Sequence, residues 1–343
     1  MKRDTRTSPA ARSSLVGIAA LLISFALIGV TSAAEWVGKP FAGFFVLGNG
    51  VVASVGLPGW PATRDGEIFQ RTLVSVEGES VTGPEELRAW TQARPEGSLL
   101  HYRLASAAGE IEREIAVRRF AGRDAALLFG AYLLNGLLLG ALALFLVARP
   151  GLDRGTRSAV PFLTCCALWG LSGMDLYGAH VLFRAHALCE SLIFATALHA
   201  ALEFPTPLLG RRATRRIVFA AYALAGAFAL HYQLVLFDPS GYVKAHLLAT
   251  TLGGTGLLGL VAALVVRYFK RFQPAPFGAL AALAAGGLVA LLLPVALTLP
   301  EVLTGGSAPQ NLVGWTVFLF PLALGYAVRR DESISELRGR PLA

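Results

Sequence analysis

Eight apolar stretches of near-uniform length are the feature that most constrains this sequence. The hydrocarbon core of a bilayer is about 30 Å thick, so a helix needs about 20 mainly apolar residues to cross it. Hydrophobic residues make up 55% of the chain and charged residues 15%, far from the averages of soluble proteins. The pattern predicts a mainly α-helical polytopic membrane protein with about eight transmembrane helices. The predicted spans are residues 15–33, 125–148, 159–181, 185–204, 217–237, 245–266, 276–299 and 312–328.

The basic residues predict how the chain is oriented. They precede the first span, follow the last one and cluster in every second connection between spans. Because Lys and Arg collect in cytoplasmic loops, both termini are predicted to be cytoplasmic. These loops account for the net charge of +8, so we expect the lipid bilayer as a partner and no nucleic acid. The loop clusters are Arg149, Arg154 and Arg157; Arg211, Arg212, Arg215 and Arg216; and Arg267, Lys270 and Arg271.

The first apolar segment fits two roles. Its basic start and the small residues Thr31-Ser32-Ala33 are also the layout of a cleaved signal peptide. Its apolar stretch is longer than that of most signal peptides, which favours an uncleaved anchor. The predicted organisation is a cytoplasmic N-terminus over 1–14, an anchor over 15–33, an extracytoplasmic domain over 35–124, a seven-helix bundle over 125–328 and a cytoplasmic tail over 329–343.

Residues 35–124 form the one long polar block and predict a small α+β domain. Turn signals separate stretches in which apolar and polar residues alternate, as they do in half-buried strands. The segment 83–92 begins with Gly-Pro-Glu-Glu, which is typical of the first turn of a helix. The predicted strands are 50–56, 71–77, 99–104 and 111–117.

The order of these elements resembles a bacterial PDZ domain. Val76-Glu-Gly-Glu-Ser-Val81 is similar to the turn that precedes the family's helix, and Phe41-Ala-Gly-Phe-Phe45 stands at the place of its carboxylate-binding loop. The resemblance implies that an extended peptide binds by strand addition, with Gly43, Phe44 and Phe45 among the ligand-binding residues. Gln70-Arg71 replaces the Gly-Asp that usually precedes the central strand. A domain that only stiffens the connection between the first two spans is the alternative.

Ionisable residues inside the predicted spans form a second candidate site. Such residues are costly in a bilayer, so each needs a functional or structural reason. Asp175 and Glu190 lie in neighbouring spans, and His186 shares a helical face with Glu190 because the two are four residues apart. His231 lies near the outer end of a further span. We predict a ligand-binding pocket that opens outward and is lined by these four residues, with interhelical hydrogen bonding as the alternative.

The sequence contains no P-loop, no kinase motif and no Cys/His spacing typical of a metal site. We therefore expect no cofactor, no bound metal and no enzyme activity. Gly170-Leu-Ser-Gly173 resembles the G-x-S-G pattern of rhomboid proteases, with His231 as the candidate partner of Ser172. The family's Ala-His-x-x-Gly helix is missing. A rhomboid-like intramembrane serine protease, and a transporter or channel subunit that uses Asp175 and Glu190, are the alternative functions.

Gly136-Leu-Leu-Leu-Gly140 matches the pattern of small residues that allows membrane helices to approach closely. The same pattern serves contacts between two copies of a chain and contacts within one bundle. The sequence therefore predicts either a homodimer or tight packing within a single bundle at this motif.

Two motifs resemble the sensor (membrane) region of ComP-like bacterial histidine kinases. Leu198-His-Ala-Ala-Leu-Glu-Phe-Pro205 is similar to the end of one of their spans, and Phe318 to Arg329 is similar to their last span. The resemblance implies a receptor that detects an extracytoplasmic signal, often a peptide, and relays it to a cytoplasmic signalling partner or a fused kinase of a two-component system. Residues 331–343 contain no phosphoacceptor His and no ATP-binding domain. We expect either the sensor part of a longer product or a stand-alone receptor.

Overall fold

The computed structural model describes residues 9–149, 154–270, 279–304 and 314–329. Within these ranges, five helices are long and apolar enough to cross a membrane, and two shorter apolar helices cover Leu283–Ala296 and Gly314–Ala327. The chain is therefore a mainly helical, membrane-embedded protein. Most of the predicted N-terminal segment and all but the first residue of the predicted tail lie outside the described residues. The five long apolar helices are Arg12–Ala34, Gly122–Ala148, Phe183–Glu203, Arg211–Val235 and Pro239–Phe269.

The predicted spans correspond closely to helices, with two local differences. The span predicted over 159–181 ends early as a helix, at Gly173, because the chain then turns and the Asp175 carboxylate accepts a hydrogen bond from the Leu182 backbone N–H at 2.6 Å. The last predicted span is divided at Phe318 into two short helices. The helices are α1 Pro9–Ala34, α2 Pro61–Asp65, α3 Pro84–Gln92, α4 Gly122–Ala148, α5 Arg154–Arg157, α6 Ala159–Gly173, α7 Phe183–Glu203, α8 Arg211–Val235, α9 Pro239–Lys270, α10 Ala279–Leu303, α11 Gly314–Val317 and α12 Leu319–Arg329.

Between α1 and α4 the chain forms a β-rich domain, residues 35–121. Its main sheet is antiparallel, with β2 flanked by β3 and β4, and β5 at the far edge beside β4. A separate short pair joins β1 to β6. Along β4, Leu100, Tyr102 and Leu104 are buried and alternate with exposed residues, as expected for a strand with one face on a core. The strands are β1 Pro40–Phe41, β2 Thr72–Val76, β3 Glu79–Ser80, β4 Leu99–Ser106, β5 Gly109–Ala116 and β6 Arg118–Arg119.

The domain's helix α3 and strands β2, β4 and β5 confirm four of the predicted elements. The predicted strand over 50–56 forms only isolated bridges, in which Val51 pairs with Thr72 and Val52 pairs with Val46. Gly50 adopts a positive φ of 82° in a tight turn, which interrupts an extended strand at its first residue. The likeness to a PDZ domain stays a prediction.

The small-residue motif on α4 packs inside the bundle. A Cβ atom at Gly136 would lie 2.6 Å from Cγ of Leu171 on α6, and one at Gly140 would lie 2.9 Å from Cδ1 of Leu22 on α1. A side chain at Gly136 would also press on the Ala167 carbonyl oxygen at 3.2 Å, so this glycine lets α4 approach α6 closely. At Gly140 the contact is with the end of the flexible Leu22 side chain, which can move aside. Packing within one bundle therefore accounts for the motif, and a homodimer stays a prediction.

The β-rich domain contacts the ends of several helices directly. The Trp36 indole N–H donates to the Tyr177 carbonyl at 2.7 Å, and the Asn49 side-chain amide donates to the Leu236 carbonyl at 2.8 Å. The rings of Phe45 and Tyr177 stack with their centroids 5.1 Å apart. These contacts fix the domain over the α6–α7 and α8–α9 connections, which we call the domain end of the bundle.

Candidate functional site: a cavity between the β-rich domain and the helices

A cavity of about 300 Å³ lies inside the domain end of the bundle. The β-rich domain contributes Leu47, residues 53–55 and Gln70 to its wall. The remaining wall comes from α4, α6, α7, α9, α10, α11 and α12 together with the α6–α7 connection. Ligand pockets in proteins have volumes of about 300–1,000 Å³. The cavity is therefore large enough for a small molecule, and such a molecule would contact the domain and the bundle at the same time.

A cluster of ionisable side chains lies on one side of the cavity. His246 Nδ1 on α9 lies 2.9 Å from Glu190 Oε1 on α7, and the Tyr232 hydroxyl on α8 donates to Glu190 Oε2 at 3.0 Å. The His246 ring stacks on Tyr242 in nearly parallel planes, with an interplanar angle of 4°. Each oxygen of the buried carboxylate thus has a polar neighbour, which offsets part of the cost of removing it from water.

His186 lies one helical turn before Glu190 and also lines the cavity. Its Nδ1 atom is 3.0 Å from the hydroxyl oxygen of Ser172 on α6. That hydroxyl has one hydrogen, which is directed to the backbone carbonyl of Leu168 at 2.7 Å or of Trp169 at 3.0 Å. We therefore assign the His186 tautomer from this network: Nδ1–H donates to Ser172, and Nε2 keeps a lone pair.

Of the four residues predicted to form one pocket, the structure brings His186 and Glu190 together at the cavity. Asp175 is fully buried in the α6–α7 connection, outside the cavity lining, where its carboxylate binds the Leu182 N–H. His231 lies on the exposed face of α8. Consecutive helical residues point about 100° apart, so it is the neighbouring Tyr232 that faces inward.

The placement of His231 also separates it from Ser172. The imidazole that contacts Ser172 belongs to His186, and Ser172 itself is fully buried. The Ser172–His231 pair of the rhomboid-like alternative is therefore not the pair that this fold forms. Among the described residues, no group of three or more His, Cys, Asp or Glu side chains could hold a metal ion.

His246 and Tyr232 were not among the site residues predicted from the sequence. His246 lies inside the span predicted over 245–266, so the criterion that selected Glu190, an ionisable residue in an apolar span, would have selected it too. Tyr242 precedes it by four residues, a spacing that places both on one helical face. Tyr232 carries no comparable signal, because tyrosines are common in apolar helices.

The predicted peptide-binding residues are buried, Phe44 in the core of the β-rich domain and Phe45 where the domain packs against the bundle. Phe44 and Phe45 are each 1% exposed, and Phe44 packs edge-on against Tyr102 with ring centroids 5.1 Å apart. Gly43 adopts a positive φ of 78°, which glycine tolerates without strain. Phe44 and Phe45 also border a small space of about 20 Å³ beside α3, about the size that holds one water molecule. Their role in peptide binding stays a prediction.

Helix α7 connects the cavity to a second polar cluster at the other end of the bundle. The Arg154 guanidinium donates two hydrogen bonds to the Glu203 carboxylate, of 2.9 and 3.0 Å. Arg267 on α9 is buried and donates to the carbonyls of Ala201 and Thr206. The last turn of α7 is therefore tied to α5 and α9, while its first turns line the cavity.

No protein-family model, curated protein or solved structure matches the chain. The class that the fold itself defines is a mainly helical membrane-embedded protein with a β-rich domain at one end of its bundle. The likenesses to PDZ domains and to ComP-like sensor regions rest on the sequence motifs given above.

Proposed function

We propose that this protein is a sensory receptor of a bacterial inner membrane. In the proposal it has about eight spans and two cytoplasmic termini, and its β-rich domain is extracytoplasmic. A ligand from that side binds in the central cavity, and the protein relays binding to a cytoplasmic output domain or partner. One observation carries the proposal: the cavity wall is built jointly by the β-rich domain and the helical bundle.

A ligand in a jointly built cavity can act as a signal. It shifts an equilibrium only if it binds one arrangement of the protein better than another. Because residues from both bodies line the cavity, its fit to a ligand depends on how the domain sits on the helices. Binding would therefore select one such arrangement.

Helix α7 is the element best placed to pass that change on. Glu190 lines the cavity, and Glu203 lies at the opposite end of the same helix. At 1.5 Å per residue the two positions are about 20 Å apart along the axis. A tilt or rotation of α7 at the cavity would reach the Arg154–Glu203 pair, next to the predicted cytoplasmic face.

Filling the cavity tests ligand binding. Gly253 on α9 lines the cavity, and a Cβ atom there would meet Cγ2 of Ile193 at an ordinary contact distance of 3.6 Å. We expect Gly253→Leu to occupy the cavity. Gly259 on the same helix has open space around its Cβ position and lies outside the cavity lining, so Gly259→Leu is the matched control.

The purified protein in detergent would be heated with small-molecule fractions of bacterial culture medium. Ligands that bind only the folded state raise the melting temperature, by an amount equivalent to about 2.7 kcal/mol at 100 times the dissociation constant. We expect a fraction that stabilises the wild type and Gly259→Leu but leaves Gly253→Leu unchanged. Equal stabilisation of both variants, or no stabilising fraction, would count against the cavity as the ligand site.

A distance measurement tests the relay. Spin labels at the exposed positions Arg157 and Arg212 would report the spacing of α5 and α8 at the end remote from the cavity. We expect the active fraction to change this distance distribution in the wild type and in Gly259→Leu. If the distance distribution stays unchanged under saturating ligand, the protein binds the ligand but does not relay binding as proposed.

A transporter or channel subunit is the second candidate function. The buried Glu190–His246 pair favours it, because buried ionisable pairs mark proton and ion pathways in membranes. Proteoliposomes would distinguish the two functions. Accumulation of solute or protons that falls in Glu190→Gln would support transport. Ligand binding without flux would support the receptor.

A further inference from the structure

We propose that the central cavity binds a small, uncharged aromatic molecule that carries an N–H or O–H donor. The proposal rests on the proposed function and specifies the ligand class of the same cavity. Four properties of the described residues lead to it: the volume of the cavity, its unused hydrogen-bonding atoms, its charge and its walls.

The volume limits the size of the ligand. A volume of about 300 Å³ lies at the lower end of the range of about 300–1,000 Å³ that ligand pockets have. An extended peptide of several residues is larger than this. The cavity therefore suits a ligand the size of one or two fused rings.

Two side-chain amides in the wall present acceptors without a protein donor. Both N–H groups of Asn135 are used, because Nδ2 donates to the carbonyls of Ala131 at 2.8 Å and Gly314 at 2.7 Å. Gln70 Nε2 donates to the Ser54 hydroxyl at 2.8 Å. Within the described ranges, Oδ1 of Asn135 and Oε1 of Gln70 have no hydrogen-bond partner. Both oxygens are covered by neighbouring atoms, so a ligand donor would reach them after the side chain rotates toward the cavity. Leaving such an atom unmatched costs about 1–3 kcal/mol, which favours that rotation when a donor is bound.

His186 adds a third acceptor. With its Nδ1–H directed to Ser172, the remaining Nε2 lone pair can accept a hydrogen bond from a ligand. The Trp169 indole N–H, by contrast, is a buried donor without an acceptor in the described part of the chain. Acceptors thus outnumber donors among the unmatched groups of the wall, which selects a ligand that donates.

The charge of the cavity favours a neutral ligand over an ammonium ion. Glu190 is the acidic residue in the wall, and both its oxygens already have polar neighbours in His246 and Tyr232. A ligand cation would have to compete with the His246 imidazole for the same carboxylate. A ligand cation that does not pair with the carboxylate would be buried as an unpaired charge, which is strongly unfavourable.

The walls favour a flat, aromatic shape. Trp169 stacks on His186 with ring centroids 5.4 Å apart and also meets Tyr132 edge-on at 6.3 Å. Phe162 and Phe320, which also line the cavity, meet edge-on with ring centroids 6.1 Å apart. Aromatic rings attract one another in stacked and edge-to-face arrangements, with about 0.5–1.5 kcal/mol per pair beyond area burial. A planar aromatic ligand gains these contacts where an aliphatic one of equal volume does not.

Three related probes separate these properties by titration calorimetry on the full-length protein in detergent. Indole is neutral and has an N–H donor, 1-methylindole has the same ring without the donor, and tryptamine adds an ammonium group. We expect indole to bind at least fivefold more tightly than either of the others. The difference corresponds to one hydrogen bond for 1-methylindole and to an unpaired buried charge for tryptamine.

Variants then assign the acceptors. Indole has a single N–H, so we expect the one variant that removes its acceptor, Asn135→Leu or Gln70→Met, to weaken indole about fivefold and to leave 1-methylindole unchanged. Gln70→Met keeps the proposal testable if Asn135→Leu fails to fold, because Asn135 also holds Gly314. Gln233→Met on α8 is the control, since Gln233 binds Arg184 and lies outside the cavity lining.

The outcomes separate this inference from the proposed function. The ligand class is overturned if indole and 1-methylindole bind equally well, or if tryptamine binds more tightly than indole. If all of this binding is also lost in Gly253→Leu, the cavity is retained as the site. Indole binding that survives in Gly253→Leu overturns the cavity itself. A further outcome is that none of the three probes binds while a medium fraction still stabilises the wild type and not Gly253→Leu. That result overturns the ligand class alone.

Discussion

His246 Nδ1 lies 2.9 Å from Glu190 Oε1, which joins α9 to α7 inside the helical bundle. The other oxygen of the same carboxylate accepts a hydrogen bond from Tyr232, so α8 is joined to the same point. One buried carboxylate therefore holds three helices at the edge of the cavity. The stability of the domain end of the bundle and the shape of the cavity both depend on this contact.

Removing the Glu190 charge should destabilise the protein. In Glu190→Gln, His246 loses its anionic partner inside the bundle, and we expect the free energy of unfolding to fall by about 3 kcal/mol. Unfolding in mixed micelles would measure this value. Glu112→Gln, at an exposed position on β5, is the control and should change it by less than about 0.5 kcal/mol.

The double variant Glu190→Gln/His246→Gln isolates the pair. Residues in direct contact show coupling energies of about 0.5–3 kcal/mol, so the double variant should lose less stability than the two single variants together. Strictly additive losses would show that the short distance carries no interaction energy.

Gly136 should not tolerate a methyl group. Its Cβ would lie 2.6 Å from Cγ of Leu171 and 3.2 Å from the Ala167 carbonyl oxygen, so α4 and α6 would have to separate. We expect Gly136→Ala to lower the free energy of unfolding by about 1–3 kcal/mol. Gly226→Ala on α8, where the Cβ position is open, should be nearly neutral. Similar stability of the two variants would contradict the close packing of α4 on α6.

The stability of the contact between the β-rich domain and the bundle should depend on pH through His180. Burial is the main cause that lowers the pKa of His180 below its usual 6.5, and its charged neighbours are Asp175, Arg88 and Glu85. Below pH 6.5 the unfolded chain binds a proton that the folded state resists. Stability from this group is therefore present above that pH and is lost as the pH falls through the lowered pKa.

Melting temperatures of the wild type and His180→Asn between pH 7.5 and 5 would measure this contribution. Asn suits the control because His180 has a positive φ of 60°, which Asn tolerates better than most residues. We expect the difference between the two curves to change below pH 6.5. Parallel curves across the whole range would show that His180 takes no part.

Ser172 should not act as a nucleophile. It is fully buried, and its hydroxyl hydrogen is directed to a backbone carbonyl of its own helix. A fluorophosphonate probe should leave Ser172 unlabelled under conditions that label an active serine hydrolase, as read by mass spectrometry. Labelling of the wild type that disappears in Ser172→Ala would instead favour the rhomboid-like alternative.

Local patterns were enough to predict much of the fold. Helix α3 and strands β4 and β5 follow from Pro84 at a helix start and from alternating burial, which are properties of neighbouring residues. The early end of α6 was missed because hydropathy does not register the Asp175 carboxylate that turns the chain. Likewise, the turn at Gly50 breaks a stretch whose composition is typical of a strand.

The residues of the candidate site likewise fall into those predictable from local sequence and those that depend on tertiary packing. By itself the sequence determined that His186 and Glu190 share one face, because a spacing of four residues places them there in any helix. Only the tertiary structure decided that His246 and Tyr232 complete the cluster while His231 and Asp175 lie outside the cavity. Those positions depend on how each helix is rotated and which neighbours it packs against. Contacts between segments far apart in the chain set that rotation, and no local pattern encodes it.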